Sequence, residues 1–389
     1  MVASCATCQQ KAQQVKAMQT NIDFWPTTLK LKNSSDLICD ESLRYLAGKR
    51  LVCRGRWQQR TVAVKLFFHP KSAKRHWLRE KQGVESLISN QLSTPSLLFA
   101  GTLIDGTPVL IFDYLSSAKT ALDVWKELDN DEARLDLLQQ IVVEISAQHR
   151  CGLWQQDLHL GNFLISDNQI YTIDGDGIKS STDGKELTTK KRRNNLALLL
   201  AQLSPNYDHL ATPAIEHYAA TSQKNMRDLK SITEKELPHI RTTRRHKYVK
   251  KAYRNCSEFI RHNSLRQVAI YRRDADAGLI KQFLNNPDQL ITDGTILKNG
   301  NSATVAQVTI AGDSLAIKRY NIKGIWHILK RCWRPTRAWI SWGNAHRLTI
   351  SGIDTPQPIA ILEKRLGPLR TSSYYLCVHE NTPSATDYF

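Results

Sequence analysis

Residues 154–177 read WQQDLHLGNFLISDNQIYTIDGDG, and the rest of the chain can be organised around this stretch. Asp157 is followed by Asn162 and then by Asp174, which opens a glycine-rich turn. The apolar-flanked run 171–173 just before it predicts a short strand. A carboxylate that can orient an acceptor hydroxyl, followed by an amide and a second carboxylate that can bind Mg²⁺, has the spacing typical of phosphoryl transfer. The alternative is that these polar residues only cap turns.

The composition sets limits on the class of protein. At 389 residues, the chain is long enough for two or three domains with their own hydrophobic cores. The longest apolar run, 196–203, is far shorter than the roughly 20 residues that cross a bilayer, and the N-terminus lacks a signal-peptide pattern. We therefore expect a cytoplasmic protein that does not span a membrane. The eight cysteines are scattered, which favours reduced thiols, and the Cys5–Cys8 pair lacks the partners of a zinc site.

The net charge of +18 indicates an anionic partner: a phosphorylated substrate, an acidic membrane surface or nucleic acid. The segment 241–254, RTTRRHKYVKKAYR, carries seven Lys and Arg residues and no acid. The pattern predicts a helix over 246–262 that packs an apolar face on the core and exposes Lys250, Lys251 and Arg254. That cationic face is either ordinary solvated surface or a binding surface for a phosphosugar or anionic lipid. Nucleic acid is the least favoured partner, because no nucleic-acid fold signature accompanies the charge.

Residues 1–36 are predicted to be a polar leader without an assigned function, and residues 37–115 a lobe built on a five-stranded antiparallel sheet. Short runs of alternating apolar residues, separated by glycine and proline signals, predict the strands. The helix that follows the third strand is predicted from apolar residues at helical spacing. The predicted strands are Leu43–Ala47, Leu51–Trp57, Thr61–Phe68, Leu97–Phe99 and Val109–Leu115, and the predicted helix is Lys71–Leu92.

Lys65 lies in an apolar strand, where a lysine either extends to solvent at an edge or pairs with an anion. Glu80 falls on the apolar stripe of the predicted helix, and a carboxylate there is costly unless it is paired. Glu85 is rotated by about 100° from that stripe and is the weaker candidate. We therefore expect an ion pair between Lys65 and Glu80.

Residues 116–285 are predicted to form a mostly helical lobe. Apolar residues at helical spacing, with Gly152 as a stop signal, indicate the helices that surround the opening stretch. The predicted helices are Leu122–Leu128, Arg134–His149 and Arg192–Leu203.

Residues 286–389 repeat the beginning of the first lobe. The repeat contains a lysine, Lys318, but no counterpart of Asp157, Asn162 or Asp174, and no acid between 333 and 349 that could pair with Lys318. It is therefore not expected to be a second active site. Either it is a degenerate lobe kept for binding or packing, or the chain is shortened relative to a two-unit ancestor. The matching segments are 62–65 with 315–318, 94–95 with 355–356, the strand ending at 113 with 375–379, and 121–125 with 385–389.

The chain resembles the protein-kinase-like superfamily and, within it, the bacterial lipopolysaccharide kinases that phosphorylate Kdo or heptose in the inner core. The resemblance extends from about residue 37 to the end. Its DLHLGN core is shared with other small-molecule kinases. The motifs that carry it are VAVK at Lys65, REK at 79–81, H-x-x-G at 149–152, DLHLGNFLI from Asp157, YTIDGDGI from Tyr171, RNNLALLLAQL, RRHKYVKKAYRNCSEF, and, in the repeat, AIKRYN, RPTRAW, NAHRL and GIDTPQP.

The resemblance implies a bilobal α+β fold and specific roles for the residues that match its motifs. Asp157 would be the catalytic base, and Asn162 and Asp174 would bind Mg²⁺. Lys65 would contact the α- and β-phosphates of ATP, with Glu80 anchoring it. Backbone groups of the linker would bind adenine, and its residues are Phe112, Asp113, Tyr114 and Leu115.

Two positions depart from the family pattern. Gln155 stands where the family usually has a histidine, two residues before the catalytic aspartate. The phosphate-covering loop at 47–50 contains only one glycine, Gly48, so backbone amides and Lys49 or Arg50 would have to replace a glycine-rich loop. His159 would either contact substrate or stabilise its loop.

The sequence therefore predicts an ATP- and Mg²⁺-dependent kinase for a heptose or Kdo hydroxyl of the lipopolysaccharide core or of a lipid A–core precursor. We expect it at the cytoplasmic face of the inner membrane, in peripheral contact with anionic lipid. Two alternatives stay open: a non-catalytic kinase-like scaffold in core assembly, and a kinase for proteins or small molecules.

Overall fold

The computed structural model describes residues 25–33, 35–46, 48–181, 184–321, 334–367 and 369–381. Most of the predicted leader, the CxxC pair and the match at 385–389 lie outside these ranges. The described chain has a mixed α+β fold with antiparallel sheets, as predicted. Its described residues form two compact units, one of the residues up to 203 with 207–240, and one of residues 204–206 with those from 241 onward. Across the described ranges, no helix combines the length and hydrophobicity needed to span a bilayer.

The first unit begins with an antiparallel sheet whose order is β1-β2-β3-β4-β6-β5. It has six described strands, one more than predicted. The extra strand and the first residue of β2 lie in the predicted leader, where Leu31 is buried and pairs with Leu103 near the opposite edge of the sheet. The strands are β1 (Thr27–Lys30), β2 (Asp36–Leu46), β3 (Arg50–Trp57), β4 (Arg60–Phe67), β5 (Leu97–Thr102) and β6 (Pro108–Asp113).

Helix α1 (Ala73–Ser89) follows β4, as predicted. It buries one face, which includes Val84, Leu87 and the carboxylate of Glu80. The indole N–H of Trp77 donates to the carbonyl of Val109 at 3.0 Å, which ties the helix to β6. The apolar stripe recognised in the sequence is therefore the face that packs on the sheet.

The remainder of the first unit is mostly helical and surrounds one apolar core. Side-chain caps begin its first two helices, since Thr120 accepts from the amide of Asp123 and Asn130 from that of Ala133. The three helices predicted here are present. The elements are β7 (Lys119–Thr120), α2 (Ala121–Glu127), α3 (Asp131–Arg150), β8 (Leu153–Gln155), β9 (Phe163–Ser166), β10 (Gln169–Thr172), β11 (Ile178–Ser180), α4 (Thr189–Leu200), α5 (Ala211–Ser222) and α6 (Met226–Leu229). Helix α7 (Leu237–Lys251) begins in this unit, and its residues from 241 on belong to the second unit.

The prediction of a helix over 246–262 is wrong for the second half of this range. Helix α7 ends at Lys251, and the chain continues as strands β12 (Phe259–Asn263) and β13 (Gln267–Arg272). These strands pair with each other, and β13 pairs with β17 (Pro358–Leu366). Long-range pairing thus overrides a helical pattern of apolar residues. For the same reason the second unit begins near residue 241, not at the predicted boundary of 286.

The second unit is built on an antiparallel sheet whose described strands have the order β12-β13-β17-β18-β16-β15-β14. Its helices α8 (Ala277–Asn285) and α9 (Pro287–Asp293) cover one face, and α10 (Arg337–Ile350) packs on the other. The remaining strands are β14 (Thr295–Asn299), β15 (Ala303–Ile310), β16 (Asp313–Tyr320) and β18 (Leu369–Val378).

The predicted repeat is present in the topology of the two sheets. Strands β14-β15-β16-β18-β17 reproduce the order β2-β3-β4-β6-β5, and α10 occupies the place of α1 between the third and fourth strands of the set. Backbone hydrogen bonds at the end of the last strand also correspond. They are Asp113 to Ser96 (3.0 Å) and Tyr114 to Thr61 (3.4 Å) in the first unit, and Val378 to Gln357 (3.0 Å) and His379 to Ser314 (3.1 Å) in the second.

Candidate active site

Lys65 on β4 and Glu80 on α1 form the predicted ion pair. The Glu80 side chain is fully buried, and its carboxylate also accepts the backbone N–H groups of Gly175 and Asp176, each at 3.2 Å. Glu85 instead pairs with Lys81 at the surface. The buried acid therefore joins the sheet, the helix and the turn that follows β10.

The turn at 174–177 packs tightly against α1. A Cβ atom on Gly83 would lie 2.0 Å from the carbonyl oxygen of Gly175, so only glycine permits this approach. Asp176 fixes the same contact through polar atoms, because its carboxylate lies 2.8 Å from Nδ1 of His76 and 2.9 Å from Nε of Arg79. The position of Asp174 is thereby coupled to that of the helix.

Asp174 has a left-handed backbone, with φ of 72°, and its carboxylate faces two cations. Oδ1 lies 3.1 Å from Nη1 of Arg50 and 3.7 Å from Nζ of Lys65. Burial opposes ionisation, but the charges of Lys65 and Arg50 outweigh it and hold the pKa of Asp174 well below its usual range. The group is therefore an anion at neutral pH and can serve as a hard oxygen ligand.

Asn162 is buried and directed by two hydrogen bonds. Its Nδ2 donates to the backbone oxygen of Asp157 at 2.9 Å and to Oε1 of Gln155 at 3.1 Å. Both amide hydrogens are thus committed, and the side-chain oxygen is left as the available ligand atom. Ile173 donates its N–H to the backbone oxygen of Asn162 at 2.8 Å, which links this loop to the residue before Asp174.

Gln155 is a buried support of this loop. In addition to accepting from Asn162, its Nε2 donates to Gln148 at 3.4 Å and its backbone oxygen accepts from Asn195 at 2.7 Å. The glutamine therefore supports the loop through hydrogen bonds of its side chain and backbone. Asp157, by contrast, is exposed, and its carboxylate makes no hydrogen bond within the described ranges, so it can accept a proton from an incoming hydroxyl.

Behind the loop lies a buried polar network that sequence reasoning did not assign to the site. His149 contacts the hydroxyl of Tyr218 at 2.8 Å and Oδ1 of Asn195 at 3.0 Å. Burial lowers the pKa of His149 to about 3, so the ring is neutral. Arg192 donates to Tyr218 at 2.8 Å and pairs with Glu186. The segment 192–203, RRNNLALLLAQL, contained a signal for this network, since a buried helix that carries Arg192 and Asn195 must satisfy their hydrogen bonds.

The predicted adenine-binding linker lies at the end of β6. Lys65 Nζ is 5.6 Å from the ring centre of the buried Phe112. The N–H groups of Asp113 and Tyr114 are used in bonds to Ser96 and Thr61. The N–H of Leu115 donates to no group in the described part of the chain, so among these linker amides it is the one open to a nucleobase.

The predicted phosphate loop is a tight hairpin. Leu46 and Arg50 are paired across β2 and β3, so only three residues separate the strands. Gly48 has φ of 63° and Lys49 is exposed, while Ala47 lies outside the described residues. Arg50 points toward the acids, with Nη1 also 3.5 Å from Oε2 of Glu80. Sequence reasoning named Arg50 only as a substitute for glycine and missed its contact with Asp174.

The other predicted substrate residues are more dispersed. The backbone oxygen of His159 accepts the N–H of Asn162 at 2.9 Å, which places His159 in the loop itself. Lys250 and Arg254 are exposed, and Lys251 pairs with Glu258 at 2.5 Å. These three cations belong to the second compact unit.

The second unit has a different residue opposite its lysine. Each helix ends with the same backbone bond, from Leu92 to Leu87 at 3.0 Å in the first unit and from Ile353 to Leu348 at 3.1 Å in the second. With the helices aligned on this bond, Ser341 corresponds to Glu80.

The hydroxyl of Ser341 contacts a tyrosine and not Lys318. Its hydroxyl lies 2.6 Å from the hydroxyl of Tyr320, and Nζ of Lys318 lies 5.3 Å from the ring centre of the same tyrosine. Within the described residues, Lys318 forms no ion pair. The sequence carries no acid over 334–349, and residue 333 lies outside the described ranges.

The donor set fits a Mg²⁺ ion that is shared with phosphate. No group of three or more His, Cys, Asp or Glu side chains that could hold a metal is found in the described ranges. Asp174 and Asn162 offer one carboxylate and one amide oxygen, and Mg²⁺ commonly completes such a set with substrate phosphate and water.

In comparisons with known proteins, no protein-family model matches the chain and no curated protein is significantly similar to it.

Proposed function

We propose that the chain is an ATP- and Mg²⁺-dependent phosphotransferase with a protein-kinase-like bilobal fold in its first unit. The observation that carries this proposal is the charge cluster of Lys65, Glu80 and Asp174, together with the hydrogen bonds that connect Ile173 to Asn162 and Asn162 to the backbone of Asp157. Convergent cations and hard oxygen ligands are what phosphoryl transfer requires of a protein, because its catalysis is mainly positioning and charge stabilisation.

In this proposal Mg²⁺–ATP supplies the phosphoryl group, and the side chains of the chain place and charge-balance it. Lys65 contacts the phosphates while Glu80 fixes its ammonium group. Asn162 and Asp174 hold the metal through oxygen atoms. Asp157 orients the acceptor hydroxyl and takes its proton. The N–H of Leu115 donates to the adenine ring, and the flanking linker residues 112–114 line the base.

The proposed acceptor is a sugar hydroxyl, heptose or Kdo, of the lipopolysaccharide inner core or of its lipid A–core precursor. This choice rests on the family resemblance of the motifs and on the net charge of +18, which suits an acidic glycolipid. Exposed Lys250 and Arg254 would contribute to binding this glycolipid or the anionic inner membrane at its cytoplasmic face.

The Asp157→Asn variant tests the proposal. With Mg²⁺–ATP and core oligosaccharide as substrates, we expect phosphate transfer to fall by about 100-fold or more, the range seen when a general base is lost. Affinity for Mg²⁺–ATP should change little, because Asp157 does not contact the nucleotide. Asp167→Asn is the matched control, since Asp167 is an exposed turn residue of the same region, and it should retain full transfer.

A scaffold function makes the opposite prediction. Normal restoration of core phosphate by Asp157→Asn, in cells that lack the gene, would show that the chain acts without catalysis. Transfer from ATP to a protein or small-molecule acceptor, with none to core oligosaccharide, would retain the kinase and replace the substrate. Core precursors that contain Kdo but no heptose distinguish the two proposed sugars.

A further inference from the structure

Arg50 is a mostly buried cation of the first unit that the proposed chemistry does not yet use. Its position is fixed from both sides, because its backbone pairs with Leu46 on β2 and with Phe67 on β4. Its side chain is 15% exposed and reaches Asp174 at 3.1 Å and Glu80 at 3.5 Å. It therefore lies beside the proposed metal ligand and directly after the hairpin that would cover the phosphates.

The charges of the four side chains next to Arg50 and Asp174, these two included, sum to zero in the absence of ligand. Arg50 and Lys65 are cations, and Glu80 and Asp174 are anions. Glu80 already has Lys65 and two backbone N–H groups as partners. Asp174 is therefore the main counter-ion of Arg50. Any cation that takes the Asp174 carboxylate leaves the mostly buried guanidinium without a sufficient partner, which is unfavourable.

We propose that Arg50 is a phosphate ligand of the bound nucleotide, which it contacts after Mg²⁺ has taken its place on Asp174. This inference rests on the proposed function. A guanidinium binds phosphate oxygens with two parallel N–H donors, which a lysine cannot do. The backbone N–H groups of Gly48 and Lys49 already donate to the Tyr45 hydroxyl and to the Leu46 carbonyl, each at 2.9 Å. Arg50 therefore supplies side-chain donors next to them.

In this proposal Arg50 exchanges Asp174 for the nucleotide phosphates as its partner. It therefore has opposite effects on the binding of Mg²⁺ alone and of Mg²⁺–ATP, and these make the proposal testable. Without nucleotide, Arg50 competes with Mg²⁺ for Asp174 and weakens the binding of the metal alone. With nucleotide, it strengthens binding through the phosphates. A residue that only neutralised Asp174 would weaken both, and a residue that only maintained the shape of the site would affect adenosine as well.

Isothermal titration of the full chain with Mg²⁺ alone, Mg²⁺–ATP and adenosine separates these roles. For Arg50→Gln we expect affinity for Mg²⁺–ATP to fall about ten- to hundredfold, the loss of a charge-assisted hydrogen bond. Affinity for adenosine should be unchanged, and Mg²⁺ alone should bind more tightly. Arg50→Lys keeps the charge but not the paired donors, so it should show a smaller loss, and it decides the question if Arg50→Gln does not fold.

Arg54→Gln is the control, because Arg54 lies on the same strand and pairs with Glu41 at the surface. It should bind all three ligands as the natural chain does. Mg²⁺–ATP affinity in Arg50→Gln that equals or exceeds that of the natural chain would overturn the proposal and leave the proposed function intact. Parallel loss of adenosine and ATP would also overturn it, in favour of a structural role. No binding of Mg²⁺–ATP by the folded natural chain would overturn both.

Discussion

The first and second sheets of the chain share a strand order, a crossing helix and the backbone bonds that end the last strand, but they differ in the residue opposite the lysine. Lys65 faces the buried Glu80, whereas Lys318 faces a helix that carries Ser341 at that position. The comparison teaches that the scaffold and the site depend on different residues. Alternating apolar positions reproduce the sheet, while a single acid decides whether its lysine is fixed.

The acid is also part of a larger contact in the first unit only. Glu80 accepts N–H groups from the turn at 174–177, and Gly83 allows that turn to approach the helix. The counterpart of Gly83 in α10 is the exposed Asn344. The first helix therefore receives the turn at 174–177 at Gly83, whereas the second helix carries an exposed side chain at the corresponding position.

The largest expected effect comes from breaking this contact. Glu80→Ala removes the counter-ion of Lys65 and two hydrogen-bond acceptors, so we expect the free energy of unfolding of the first unit to fall by about 3–5 kcal/mol. Ser341→Ala removes one hydroxyl contact with Tyr320 and should cost about 1 kcal/mol in the second unit. Chemical denaturation measures both, with hydrogen exchange assigning each loss to its unit. Equal losses would contradict the assignment of Glu80 as the key acid.

A pH experiment sharpens the comparison through one buried histidine in each unit. His346 lies among Tyr248, Phe259 and Trp342, and its ring nitrogens have no hydrogen-bond partner within the described ranges. Burial, with the charge of Arg272, lowers its pKa from 6.5 to about 4. Between these values the unfolded chain binds more protons than the folded one, so the free energy of unfolding falls as pH decreases from about 6.5 to about 4.

The expected loss attributable to His346 over this interval is on the order of 3 kcal/mol. His346→Phe should remove that part of the pH dependence and leave stability at pH 7 nearly unchanged, because the pocket is aromatic. His149→Phe should instead destabilise the first unit at pH 7, since it leaves Tyr218 and Asn195 without their partner. An unchanged pH profile for His346→Phe in denaturation experiments from pH 4 to pH 7 would refute this account of the second unit.

Some of these features could be predicted from the sequence because they depend on local pattern. The apolar stripe of α1 identified Glu80 as the partner of Lys65, and spacing placed Asp157, Asn162 and Asp174 in one segment. The repeat of VAVK as LAIK predicted a second sheet. Such signals rely on periodicity and charge pairing, which act over a few residues.

Other features depend on contacts between distant residues and left no clear local signal. Strand β1 contains few large apolar residues, and it is stabilised by pairing with β2 and by the bridge from Leu31 to Leu103. The first two residues of strand β12, Phe259 and Ile260, continue the helical spacing of apolar residues that begins in α7. The strand conformation is instead explained by pairing with β13. The contacts of Arg50 with Asp174 and of Gln155 with Asn162 likewise require the folded chain.

We expect the first unit, and not the second, to bind Mg²⁺–ATP through its lysine. Isothermal titration of the full chain with Mg²⁺–ATP tests it most directly. The account predicts one site, with affinity reduced about tenfold or more by Lys65→Met and unaffected by Lys318→Met. Lys65→Arg serves as the second variant if Lys65→Met does not fold. Failure of the folded natural chain to bind, or loss of binding in Lys318→Met but not in Lys65→Met, would contradict the account.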